Sequence, residues 1–148
     1  MLGEPVGVTP DITRHEVVEA VGGTWESLQG IGRNNAEEVM ARGIANIVRR
    51  LYEEKKFDGV LAIGGSDGTL LASAGMRQLP IGVPKLIVSA MACGSTRFGD
   101  YVGTRDITIM PSVVDVVGIT PVIRAVFDNA VGAICGMVDE NVEIRLSE

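Results

Sequence analysis

The chain has 148 residues, 46% of them apolar but only 4% aromatic, and a formal net charge of −6. That length builds one domain with a core of its own. The core must come from Val, Ile, Leu, Ala and Met, a composition suited to buried parallel strands covered by helices. The acidic balance excludes a general nucleic-acid binder, which needs a cationic stripe to displace counterions. The two cysteines, Cys93 and Cys135, have neither metal-ligand spacing nor a disulfide framework. No apolar stretch approaches the roughly 20 residues that cross a bilayer, so no membrane contact and a reduced, cytoplasmic setting are expected.

The opening "MLGEPVGVTPDI" has no period and reads as an irregular lead-in. Thr13 followed by Glu16 has capping-box spacing ahead of "VVEAV", and Gly22 and Gly23 stop that short helix. Residues 24 to 32, "TWESLQGIG", form a loop holding the only tryptophan. A long helix follows, with Asn34 as its expected cap and Met40, Ile44, Ile47 and Leu51 on its core face. Glu38, Arg42, Arg49, Glu53, Lys55 and Lys56 make its solvated face.

"FDGVLAI", 57 to 63, reads as a strand, and Asp67 to Gln78 as a helix with Leu70, Leu71 and Ala74 inward. Pro80 and Pro84 enforce an extended break. "KLIVSA", 85 to 90, is apolar on both faces and is expected to be a central, parallel strand. Residues 91 to 106 have neither period, and a loop of that length in a compact domain points to function or disorder. "ITIM", 107 to 110, is a third strand ending at Pro111, while 112 to 118 can be strand or helical turn. Thr120 and Pro121 open a helix carrying Ile123, Val126, Phe127, Ala130 and Ile134 on one stripe to about Gly136. "NVEIRL" then alternates like an edge strand.

Alternating strands and helices predict a parallel sheet with helices on both faces. Ligands of such sheets bind beyond the carboxyl ends of the strands, which singles out loops 64 to 69, 91 to 106 and 111 to 119.

The first of these is "GGSDGT". Gly64, Gly65 and Gly68 let backbone approach a ligand, while Ser66, Thr69 and the free N–H groups of the helix start can donate to an anion. The turn lacks the lysine of a P-loop, and Asp67 is itself an anion that can cap the helix or hold Mg²⁺ bridging to phosphates. A purely structural corner is the alternative. The second loop offers Ser95 and Thr96 as donors, Arg97 and Arg105 as cations, Tyr101 as a platform, and Asp100 and Asp106 as carboxylates. Such a mixture can recognise a sugar, phosphates and a base; it can equally be a polar lid, with Arg105 and Asp106 paired at a strand start. Cys93 lacks a histidine base, since His15 sits in the first helix, and nucleophilic catalysis has little support.

The blocks "GGSDGT", "GTRDITIM", "SVVDVVGIT" and "NAVGAICGM" resemble the Tm-1-like ATP-binding domain proteins over nearly the whole chain. The resemblance implies a three-layer, Rossmann-like α/β domain that binds ATP, with Mg²⁺, and tends to form homodimers. Its site would draw on Gly64 to Thr69, on Ser95, Thr96 and Arg97, and on Gly103, Thr104, Arg105 and Asp106 of the "GTRD" block. Members of the family look to begin with a further strand, helix and strand ahead of "LGEP" and to continue after "GM" into a second large domain. The chain therefore reads as a fragment with an open sheet edge. Thr120 stands where the family tends to have Asn. The rival readings are part of an enzyme, a hydrolase or phosphotransferase using Asp67, Asp100 or Asp106, and a module that binds a protein partner.

Overall fold

A computed structural model describes residues 7 to 91 and 99 to 140. Its element order is α1 (Arg14–Glu19), a 3-10 turn (Glu26–Leu28), α2 (Arg33–Glu53), β1 (Val60–Gly64), α3 (Ser66–Met76), β2 (Lys85–Ser89), α4 (Gly99–Val102), β3 (Thr108–Pro111) and α5 (Pro121–Asp139). The expected edge strand at 141 to 146 lies outside the described residues.

Local chemistry sets most boundaries. The Thr13 N–H donates to Glu16 Oε2 at 2.7 Å and the Glu16 N–H donates to Thr13 Oγ1 at 3.2 Å, so the capping box that opens α1 is complete. Thr120 caps α5 through its hydroxyl, which accepts the Ile123 N–H at 3.2 Å, and Pro121 follows where its missing N–H costs nothing. The start of α2 differs from expectation. Gly32, at φ 84°, makes the turn into the helix, so Arg33 is already its first residue and Asn34 lies inside the first turn. The positive φ there is one that glycine adopts at little cost, and no side chain caps the helix.

The three strands are parallel in the order β1-β2-β3. Val60 pairs with Lys85 and Gly64 with Ser89 at the two ends of the first ladder, and Leu86 pairs with Thr108 and Val88 with Met110 in the second. Every residue of β2 is buried, as its unbroken apolar run predicts for a central strand. Leu86 and Val88 point to one face, where they pack with Ala130 and Ile134 of α5. Ile87, fully buried between them, faces the other side by strand alternation, and α3 covers it. Beyond α3 lies α2, whose Met40 and Ile47 join Val17 and Val18 of α1 in a second apolar cluster. The result is the three-layer α/β architecture of Rossmann-like domains.

α5 runs three residues past its expected end at Gly136. At 19 residues and mean hydropathy 1.4 it is, among the described residues, the one helix long and apolar enough to cross a membrane. Ala130 and Ile134 pack with Leu86 and Val88 of β2 and Ile123 is buried, while most of that apolar length is exposed. The segment between β3 and α5 is neither strand nor helix. It holds Val113 at φ 71°, a left-handed conformation that a β-branched residue adopts only at a cost.

Candidate functional site

The carboxyl ends of the strands meet in one row. The Ala90 N–H donates to Gly64 O at 3.0 Å, and the Ser112 N–H donates to Ser89 O at 3.1 Å. The turn 64 to 69 and the segment after β3 therefore flank the end of β2, where a ligand crevice of a parallel sheet is expected.

Within the turn the glycines have different tasks. A Cβ on Gly64 would come 2.8 Å from the Gly68 Cα, so Gly64 is demanded by the tight crossing of strand and helix. Among the described residues a Cβ on Gly65 would meet nothing within 4 Å, and Gly65 is exposed. Packing among the described residues does not require a glycine there. Gly65 is also the N-cap of α3 and supplies no side-chain hydrogen bond, while the Thr69 N–H is already turned back to Gly65 O at 2.9 Å. The N–H groups of Ser66, Asp67 and Gly68, in the first turn, thus have no carbonyl four residues back within the helix.

The side chains of the turn divide just as sharply. Thr69, expected to donate to an anion, is fully buried: its hydroxyl donates to Gly65 O at 2.7 Å and lies 2.7 Å from Ser89 Oγ, which in turn accepts the Met91 N–H. It ties the turn to β2, and its one hydroxyl proton is already given to Gly65 O rather than to an anion. Ser66 leans on Asp67 at 3.3 Å. Asp67 is gripped by Arg33, whose Nη2 lies 2.6 and 2.7 Å from its two carboxylate oxygens, while Arg33 Nε holds Glu37 at 2.7 Å. The Arg33 guanidinium keeps the Asp67 carboxyl below the usual carboxylate range, and Glu37 and Asp67 raise Arg33 in turn.

This pairing answers the objection that Asp67 would repel a phosphate, because its charge is already matched. Among the described residues no three His, Cys, Asp or Glu side chains gather as a metal site. Arg33 lies 34 positions from Asp67 in the chain, and no local pattern signals the contact.

The "GTRD" block, Gly103 to Asp106, comes just before β3, and its Asp106 is held at the start of β2, away from the turn. Asp106 Oδ1 accepts Lys85 Nζ at 2.8 Å, and its Oδ2 accepts the Gly82 N–H at 2.8 Å, both just before or at the start of β2. Burial alone would raise the Asp106 carboxyl, but the Lys85 ammonium and the Gly82 N–H outweigh it and hold the group below its ordinary value. The Lys85 side chain is completely buried and also donates to Pro80 O at 2.9 Å and Val83 O at 2.6 Å. The reason is topological: β2 and β3 are parallel, so their connection must travel back to the amino edge before β3 begins. Asp100 rides on the same return path, its carbonyl accepting Arg77 Nη1 at the end of α3. Ser95, Thr96, Arg97 and Cys93 lie outside the described residues.

Comparison with known proteins follows the same extent. Residues 2 to 143 match the N-terminal domain of an uncharacterised protein family, UPF0261. A UPF0261 protein of Clostridium tetani is 44% identical over 130 residues, 87% of this chain and 32% of that protein. The ToMV resistance protein Tm-1(GCR237) of Solanum lycopersicum is 38% identical over 129 residues, 87% of this chain and 16% of that protein. A UPF0261 protein of Rhizobium meliloti is 40% identical over 135 residues, 90% of this chain and 33% of that protein. The chain thus spans a third or less of the length of these relatives, and over nearly all of its own length it belongs to the UPF0261 N-terminal domain family.

Proposed function

We propose that the chain binds a nucleotide, with ATP the favoured ligand, and that the turn 64 to 69 holds the phosphates. The observation that carries this reading is Gly65: an exposed glycine that packing among the described residues does not require, set directly before the N–H groups of an 11-residue helix with no side-chain cap. Backbone N–H groups and the positive end of a helix favour phosphate. Arg33 adds a cation that a phosphate can share with Asp67. Ser66, Gly65, Gly68 and the Arg33 guanidinium are the ligand groups. Gly64 and Thr69 hold the turn in shape. Mg²⁺ enters this reading only with the phosphates.

The test is Gly65→Val, titrated with ATP by calorimetry. No described residue stands within 4 Å of a Cβ at this position, so the fold should stand while ATP affinity falls at least about tenfold, the loss of one or more hydrogen bonds to a charged group. A folded variant with wild-type affinity removes the turn from the site.

A second surface favours self-association. Val113, Val117 and Ile119 are 69%, 81% and 62% exposed, and Val122 at the start of α5 is 48% exposed. We expect a second copy of the chain to cover this apolar patch in a homodimer, in a cytoplasmic setting. Patches of this kind mark interfaces, and light scattering that shows a monomer at micromolar concentration rejects the dimer.

A further inference from the structure

Beside the turn, on the far side of Arg33, the domain has a cavity of about 660 Å³. It is lined by Leu28 and Ala36, both buried, and by Trp25, Arg14 and Arg33. The aromatic wall is fixed in place. The Arg14 guanidinium lies 4.2 Å from the Trp25 ring centroid, and the His15 ring meets the indole at 5.1 Å with a 53° tilt. Gly30 and Gly32, at φ 87° and 84°, leave the rim open, because a Cβ on either would meet nothing within 4 Å. An apolar lining, a fixed aromatic and guanidinium pair and convergent polar groups, in a volume of this size, are the makings of a small-molecule site.

Arg33 joins this cavity to the turn, since the side chain that lines it also reaches Asp67. The two neighbouring subsites have different chemistry, one flat and apolar with cations at its rim, the other a backbone cradle for anions. A nucleotide has the same two-part character, a planar ring joined to phosphates through one ribose. We infer that the cavity lined by Trp25 takes the base of the nucleotide, stacked against the Arg14–Trp25 pair, with Arg33 bridging towards the phosphates. The inference rests on the nucleotide reading of the neighbouring turn. Planar bases stack on aromatic and guanidinium faces whatever their identity, so a nucleobase is the class of ligand assigned.

Trp25 is the only tryptophan of the chain, and its emission therefore reports on this cavity alone. Adenosine and ATP should quench it saturably, whereas tripolyphosphate should not. By calorimetry Trp25→Ala should weaken ATP roughly tenfold, leave tripolyphosphate unchanged, and be rescued by Trp25→Phe. Should Trp25→Ala lose its circular dichroism, Arg14→Gln decides: a comparable loss of ATP affinity supports the inference and wild-type affinity overturns it. If ATP binds and Gly65→Val abolishes it, yet Trp25 emission and the Trp25→Ala affinity are unmoved, the base lies elsewhere and the inference falls while the nucleotide reading stands. If neither ATP nor tripolyphosphate binds but adenosine quenches Trp25 saturably, the phosphate reading falls and the cavity stands as a nucleoside site.

Discussion

At the carboxyl edge of the sheet Asp67 faces Arg33 at 2.6 Å, and at the amino edge Asp106 faces Lys85 at 2.8 Å. In sequence each aspartate follows a short glycine-bearing run and each invites a ligand role. Their surroundings differ. The Arg33 and Asp67 side chains are 68% and 31% exposed, whereas Lys85 is entirely buried with only Asp106, at 39%, reaching solvent. An exposed pair is cheap to open and so can be shared with a ligand. A pair with a buried member is a fixture, because removing either partner strands a charge in the interior. The two edges of one sheet thus divide into a surface able to exchange partners and a knot that holds the strand starts.

The largest effect should come from that knot. Asp106→Ala leaves the Lys85 ammonium with two carbonyls and no carboxylate, and should destabilise the fold by about 3 kcal/mol, the lower end of the range for a broken buried pair, since Asp106 is partly solvated. Urea unfolding measures it, and a loss below about 1 kcal/mol would class the pair with ordinary surface bridges. The pH dependence has a definite sign. The folded Asp106 carboxyl lies below its ordinary value, so its contribution is complete above about pH 4, the unfolded value, and fades as pH falls through the folded one. Asp106→Asn should therefore flatten the acid limb of the stability curve and leave its neutral and alkaline shape alone.

Much of the architecture was legible because local chemistry decided it. The Thr13 and Glu16 box, the Thr120–Pro121 start of α5 and the doubly apolar β2 all formed as their residues require. The site was legible only in part. The turn 64 to 69 falls at the crevice because a strand and a helix flank it, but Thr69 turned inward once Ser89 came within reach. In the "GTRD" block Asp106 is held at the strand starts by Lys85 and Gly82, a strand-start role that its place just before "ITIM" left open beside the ligand one. Arg33 and the cavity behind it were invisible, since they exist only when α2 lies against α3.

Next in size are two glycines one position apart. Gly64→Ala forces a methyl group to within 2.8 Å of backbone that cannot move aside, and should cost about 1 to 3 kcal/mol, as overpacking does. Gly65→Ala enters empty space and should stay within about 0.5 kcal/mol of wild type, with its penalty appearing in ATP affinity instead. Equal losses of stability in the two variants would erase the distinction between a glycine required by the fold and one open to a ligand. Thr69→Val should follow at about 1 kcal/mol, because it removes a buried hydrogen bond while keeping the shape of the side chain; no loss in urea unfolding would free Thr69 from its structural role.

The smallest expected change is the one that sharpens the contrast between the edges most. Arg33→Ala breaks contacts to both Asp67 and Glu37, yet these are solvent-screened and should contribute little to folding. The unpaired Asp67 would then repel a phosphate brought to the turn, and ATP affinity should fall by more than the fold loses in stability. Salt separates these contributions, since an exposed pair weakens as ionic strength rises while a buried one does not. Raising sodium chloride should bring wild-type stability towards that of Arg33→Ala and leave the gap between wild type and Asp106→Ala in place. If the Arg33→Ala gap persists at high salt, the carboxyl-edge pair is as fixed as the Lys85 knot, and a guanidinium that cannot leave Asp67 cannot be offered to a ligand.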